Sequence, residues 1–295
     1  MARYARCASL GSWGVQRYLG VSIEVKNGVR LFGLYRTVGH RLVAGWLAPE
    51  VLDVLVTLDS AQRSTGVSGA VAEIGVHHGR LFIGLQLLQG VENTSVAIDL
   101  FDQQTLNVDK SGKGNIGAFQ RNVNRWSSAE NLVIHQGDST RLTSDELVSM
   151  AGDEIRLFSI DGGHTDSIVF SDMTLAESTV ATGGIVIADD VFNQEWPGVS
   201  TGTFRYLTHG GRLAPFAIGF NKVFFTHPEF APHYLKSLED EFQHRYLVST
   251  KRSSYAGREV IVLARVPRRP RQLVGRNPTA RRLYARVKDM QHAES

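Results

Sequence analysis

Cysteine is nearly absent from this sequence: Cys7 is the single one in 295 residues. One thiol builds neither an internal disulfide nor a cysteine-rich zinc site, which points to a reducing cytosol. Long apolar runs are missing too, and none approaches the roughly 18 residues that a membrane-spanning helix needs. The N-terminal stretch has scattered arginines and no uninterrupted apolar core, so the expectation is a cytoplasmic protein without a secretory leader. A net excess of positive charge is missing except at one end. Eight Lys/Arg between Pro267 and Ser295 face only Asp289 and Glu294, leaving 24 basic and 27 acidic residues elsewhere, a net −3. The overall +3 therefore belongs to the tail, and nucleic-acid binding gains little from it. A chain with 42% hydrophobic and 21% charged residues reads as globular and long enough for one large α/β domain with appendages.

What is present is a rhythm. After a mixed, glycine-punctuated stretch over 1–48 that matches no single pattern, residues 49–62 repeat apolar side chains at helical spacing. From Gly69 strand and helix signals alternate. Strands are expected over 69–75, 94–99, 131–136, 155–160 and 184–189, with helices over 79–89, 115–126, 141–150, 166–181 and 198–209. The strands are short and apolar on both faces, as in a parallel sheet covered by helices, so the units predict an open doubly wound α/β sheet. Residues 212–218 and 222–226, joined by Gly219-Phe220-Asn221, read as a β-hairpin. A helix near 231–245 and a strand at 258–266 follow. The division expected is an N-terminal extension over 1–66 that caps or oligomerises, a catalytic domain over 67–266 and a basic surface tail over 267–295.

The densest chemistry lies in Val71-Ala72-Glu73-Ile74-Gly75-Val76-His77-His78-Gly79-Arg80. A buried strand runs into a glycine turn and then an amphipathic helix, and Gly75 and Gly79 let the backbone approach a ligand. An acid two residues before the first glycine is wrong for phosphate and right for a ligand carrying positive charge, such as S-adenosylmethionine (SAM). The later strands each end in acidic or polar residues: Asp99, then Gly137-Asp138-Ser139, then Asp161, then Asp189-Asp190. In open α/β sheets these ends surround the ligand crevice. Asp99 is placed to accept ribose hydroxyls, and Asp138 with Ser139 to meet the adenine amine.

Glu73-Ile74-Gly75-Val76-His77-His78-Gly79, Ala97-Ile98-Asp99 and Gly137-Asp138-Ser139 resemble, in order and spacing, the three cofactor motifs of the class I SAM-dependent methyltransferases. The resemblance covers roughly residues 50–226 and implies a Rossmann-like, mostly parallel seven-stranded sheet. Ile160-Asp161-Gly162-Gly163-His164, Asp172, Gly183 to Asp190 and the loop Asn107 to Gly114 are similar to the metal-dependent, macrocin-type sugar O-methyltransferase branch. That resemblance implies Mg²⁺ held by Asp161, Asp189 and Asp190, with His164 or Asp161 helping to deprotonate a sugar hydroxyl. Hard oxygen ligands suit Mg²⁺, and a hydroxyl beside the ion loses its proton more readily. The implied acceptor is a small molecule or glycoside, such as a glycosylated natural product or glycolipid.

Other readings stand beside these. The paired-acid outline is shared by cephalosporin hydroxylase-like proteins, and the fold also supports a binding module without catalysis or a metal-free methyltransferase. His77 and His78 fit structural or methionine-side roles, and Asp172, on the following helix, a structural one. Lys110 to Gly114 lacks the G-x-x-x-x-G-K-[ST] phosphate loop and is expected to fold over cofactor or substrate. Asn193 to Trp196 are candidates for the acceptor pocket, with Trp196 open to stacking on a sugar or to packing. A homo-oligomer through the N-terminal elements is also open.

Overall fold

The computed structural model describes residues 30–90 and 93–266. The basic tail and the first 29 residues lie outside them. Helix α1 includes residues 30–37. Helix α2 (Pro49–Ser64) opens with proline in its first turn, where the missing N–H has no partner to lose, and buries Val51, Leu52, Leu55 and Leu58. Then strands β1 (Ala70–Ile74), β2 (Ser95–Asp99), β3 (Leu132–Gln136), β4 (Ile155–Ile160) and β5 (Val180–Ala188) alternate with helices. The helices are α3 (Phe82–Gln89), α4 (Ile116–Trp126), α5 (Ser144–Ala151) and α6 (Asp166–Thr179). After α7 (Pro197–Thr208) come β6 (Ala214–Gly219), β7 (Lys222–Thr226), α8 (Ala231–Phe242), β8 (Val248–Tyr255) and β9 (Arg258–Arg265).

The sheet runs β3-β2-β1-β4-β5-β7-β6-β9-β8. Neighbours among the first five strands are parallel, β7 is antiparallel to β5 and β6 to β7, and β9 then pairs parallel to β6. Nine strands replace the seven expected. The surplus is the β8–β9 hairpin, which extends the sheet beyond β6. Strand β8 was not anticipated because Val248-Ser249-Thr250-Lys251-Arg252-Ser253-Ser254-Tyr255 is polar along nearly its whole length. As an edge strand it leaves half of its residues exposed and buries only Val248, and lysine and arginine there discourage pairing with other chains.

Alternation along the parallel strands builds two cores. Val71, Ala97, Leu157 and Ile185 pack on the face covered by α2, α3, α4 and α8. Ala72, Ile98, Phe158 and Val186 pack on the face covered by α5, α6 and α7. Glu73 shares the parity of Val71 and so enters the first layer as a carboxyl among apolar side chains. The strand order reverses at β1, whose neighbours are β2 and β4. Backbone hydrogen bonds lock the strand ends there: Gly75 N–H donates to Ile98 O (2.8 Å), Asp161 N–H to Ile74 O (2.9 Å) and Asp189 N–H to Ile160 O (2.9 Å). Among the described residues no helix is long and apolar enough to cross a membrane.

Candidate active site

A cavity of about 1060 Å³ opens at these strand ends. That is at the upper end of the roughly 300–1,000 Å³ of single small-molecule sites and suits two ligands together. Its wall begins at the turn after β1. Gly75 has φ +83°, and a Cβ there would stand 1.7 Å from the carbonyl oxygen of Asp161. Only glycine lets the β1 and β4 ends approach this closely. Gly79 (φ +89°) lies deeper, against the ring of Phe119, and serves the turn into α3.

Asp99, at the end of β2, accepts hydrogen bonds from the backbone N–H groups of His77 (2.7 Å) and Phe101 (2.5 Å) and faces the cavity. Burial pushes its carboxyl up, against the pull of those two donors. Asp138 and Ser139 also face the cavity, and Asp138 caps the short turn Ser139–Arg141 by accepting from Thr140 N–H (3.0 Å). Glu73 is different. It is 2% exposed and sits behind the cavity wall, beside Ser159, Asp161 and Lys222. Burial, then the neighbouring Asp161, drives its carboxyl well above the usual range.

The acidic ends of β4 and β5 converge. One ligand atom each from Asp161, His164 and Asp190 lie within 4.8 Å of one another. Asp189, grouped with Asp161 and Asp190 in the resemblance, is engaged otherwise: one oxygen accepts from Asp190 N–H (2.8 Å) and the other from the ammonium of Lys222. Lys222 opens β7, and its side chain is 3% exposed. Burial opposes its charge, but Asp189 and Asp161 more than compensate and raise its pKa. Burial and then Asp189 push Asp161 well up.

His164 is gripped on three sides. Its Nδ1–H donates to Asp109 Oδ2 (2.9 Å), Trp196 stacks on its ring at 4.2 Å and 23°, and Nε2 faces Asp190 Oδ2 at 3.4 Å. Burial disfavours the imidazolium, yet hydrogen bonds with Asp190 and Asp109 win, and the pKa rises. Asp190 is pulled down despite its burial, by His164 and Asn193. Trp196 thus packs on the histidine. Asn193 and Glu195 line the cavity with it.

Lys222 and Asp109 are the functional candidates that the sequence reading did not single out. Lys222 reads as the polar start of a hairpin strand. The available signal was its place in the hairpin that pairs with β5 just before Asp189-Asp190. Asp109 sits in an irregular loop with no periodicity to fix its direction. Asp172 is 1% exposed on α6, in the layer beneath Gly162, and burial lifts its carboxyl to about 7. The Ser139 hydroxyl lies near enough to offset part of that rise without forming a hydrogen bond. His77 and His78 stack on each other at 3.9 Å, and Trp46 leans on His77 at the cavity rim.

A crevice at the strand-order reversal, with a glycine turn after β1 and acids after β2, β4 and β5, is the arrangement of the Rossmann-like class I methyltransferase fold. Residues 72–191 match the family Methyltransf_24, described as a methyltransferase domain. No curated protein matches the chain. Among solved structures, the O-methyltransferase NovP is 17% identical with TM-score 0.50, the match covering 61% of this chain and 80% of that one. The calicheamicin methyltransferase CalS11 is 16% identical with TM-score 0.44 over 76% of this chain and 99% of that one. An O-methyltransferase from Bacillus cereus, solved with SAH, is 14% identical with TM-score 0.44 over 72% and 95%. At such identities the NovP likeness shows the shared fold.

Proposed function

We propose that this enzyme transfers the SAM methyl group to a hydroxyl oxygen of a sugar, carried on a glycosylated natural product or glycolipid. The observation that carries the reading is the arrangement of His164 between Asp109 and Asp190, with Asp161 beside it, on the cavity that begins at Gly75. Gly75, Asp99, Asp138 and Ser139 form the cofactor side, with Gly79 shaping the turn and Glu73 standing behind the wall. His164 Nε2 accepts the hydroxyl proton as the O–CH₃ bond forms and the C–S bond breaks. The bond electrons stay on sulfur, the product is S-adenosylhomocysteine, and the proton leaves to solvent. Holding the reacting atoms in line is itself a large part of the acceleration.

The donor set fits a divalent cation. Asp161 and Asp190 offer hard oxygens with the His164 nitrogen in reach, and Asp189 joins them if Lys222 releases it. When bound, Mg²⁺ lowers the pKa of a nearby hydroxyl and orients it. Lys222 also favours a second reading, a metal-independent enzyme, because its ammonium already balances charge beside Asp161 and Asp189. The test is calorimetric titration with S-adenosylhomocysteine, with and without Mg²⁺, on wild type and Asp190→Ala, followed by turnover of SAM with a panel of methyl glycosides. Cofactor binding to both proteins, with Mg²⁺ uptake lost in the variant, supports the first reading. A rate insensitive to EDTA supports the second, and absence of cofactor binding removes both.

A further inference from the structure

Asp109 lies in the irregular loop between the short turn Gln104–Leu106 and α4, 55 positions from His164 in sequence. One of its oxygens, Oδ2, accepts from two atoms of the same residue: the backbone N–H of His164 at 2.6 Å and the ring Nδ1–H at 2.9 Å. The other, Oδ1, accepts from Ser111 N–H at 2.8 Å, and the Asn107 amide closes the loop base onto Ser111 O. The Asp109 and His164 side chains are 10% and 11% exposed, so the contact is shielded from water. Both ring nitrogens face carboxylates, which only accept, but Asp109 is the nearer (2.9 Å at Nδ1 against 3.4 Å from Nε2 to Asp190), so the single proton of a neutral His164 sits on Nδ1 and the lone pair on Nε2. That lone pair faces Asp190 and Asp161 in the cavity. Trp196, stacked on the face of the ring, keeps its plane from turning.

We infer that Asp109 is a positioning residue for methyl transfer: it selects the His164 tautomer and aims Nε2 into the cavity. The loop that carries it also walls the cavity through Asn107, Val108, Ser111 and Gly112. The segment that shapes the ligand chamber is therefore the one that sets the proton acceptor. The inference rests on the reading of His164 as that acceptor. Orienting a histidine by a carboxylate on its second nitrogen is a general device in proton transfer.

The test uses Asp109→Ala, which removes the acceptor, and Asp109→Asn, which keeps its volume without its charge. Long-range ¹H–¹⁵N spectra of the full chain report the tautomer, with His164 assigned by its loss in His164→Gln. Spectra are taken at a pH where the imidazole is neutral. The wild type is expected to show the Nδ1–H form and the variants a shift toward Nε2–H. Binding of S-adenosylhomocysteine should stay within about threefold in at least one variant. With a methyl glycoside that the wild type turns over, kcat should fall about 10²-fold, while KM for SAM changes little, since a positioned base contributes about 10²–10⁴. An unchanged tautomer, or kcat within threefold of wild type in both variants, overturns the role. A wild type that neither binds S-adenosylhomocysteine nor releases it defeats the parent reading instead, and the tautomer still decides the part played by Asp109.

Discussion

Replacing Lys222 with methionine removes a charge while keeping an unbranched side chain of similar length, so the loss is chiefly electrostatic. Its ammonium is buried against Asp189 and within the field of Asp161 and Glu73. Taking one partner from a buried ion pair costs about 3–5 kcal/mol, because the other charge stays behind without compensation. In a chain of this size that lowers the unfolding midpoint by about 10 °C, at about 2–4 °C per kcal/mol. The sign of the pH dependence follows from the same groups. Glu73 and Asp161 have folded pKa values raised above their unfolded ones, chiefly by burial. Carboxyls so placed add no penalty below their unfolded pKa and oppose folding as pH climbs past it. Without Lys222 they rise further. The deficit of Lys222→Met is therefore small near pH 4 and widest at pH 8. Urea unfolding of both proteins at the two pH values measures it. Added Mg²⁺, entering the cluster as a replacement cation, should raise the midpoint of the variant more than that of the wild type. Equal stability of the two proteins at pH 8, or the same deficit at both pH values, would refute the electrostatic account.

Two further substitutions probe the scaffold. Gly75→Ala places a Cβ 1.7 Å from the Asp161 carbonyl oxygen at φ +83°, whereas Gly66→Ala at φ +75° meets nothing within 4 Å. The control should lose about 1–2 kcal/mol from backbone conformation alone. Gly75→Ala should lose clearly more in urea unfolding and also weaken S-adenosylhomocysteine binding at least tenfold; equal losses would show that the close approach is immaterial. Asp172→Asn tests burial of a carboxyl whose pKa is lifted from 3.8 to about 7. The wild type keeps its full stability below pH 4 and loses about 4 kcal/mol relative to the variant as pH rises through 7. Parallel unfolding curves at pH 4 and pH 8 would count against it.

The α/β rhythm from β1 to β7 was legible because each parallel strand is an apolar run bounded by glycine or an acid. Burial on both faces writes that pattern directly into sequence. Strand β8 was not, since Ser249 to Ser254 on a solvated edge need no apolar side chains. The N-terminal extension was half legible: α2 shows helical spacing, while α1 offers one short amphipathic turn pattern that a mixed stretch disguises. Position along the strands was readable for Gly75, Asp99, Asp138, Asp161, Asp189 and Asp190, because the fold sends strand ends to one crevice. Partners were not readable. Whether Asp189 meets a lysine or Asp138 caps a turn depends on contacts across elements, and no spacing encodes those.

The charges that the fold collects resolve a conflict in the proposed chemistry. A sulfonium donor is favoured by negative surroundings, whereas a hydroxyl that is losing its proton is favoured by positive ones. Asp190, whose carboxyl is held below the usual range, and Asp189, ion-paired with Lys222, answer the first demand. Lys222, 3% exposed at the cavity wall, keeps Asp189 paired. His164, tied to Asp109 behind and with Nε2 beside Asp190, answers the second demand at the cavity face by taking the hydroxyl proton. One cation is thus fixed beside Asp189, and one ring nitrogen is turned to the cavity face to take a proton. The hairpin that brings Lys222 beside β5 and the loop that brings Asp109 to His164 are on this argument as much parts of the active site as the motif acids.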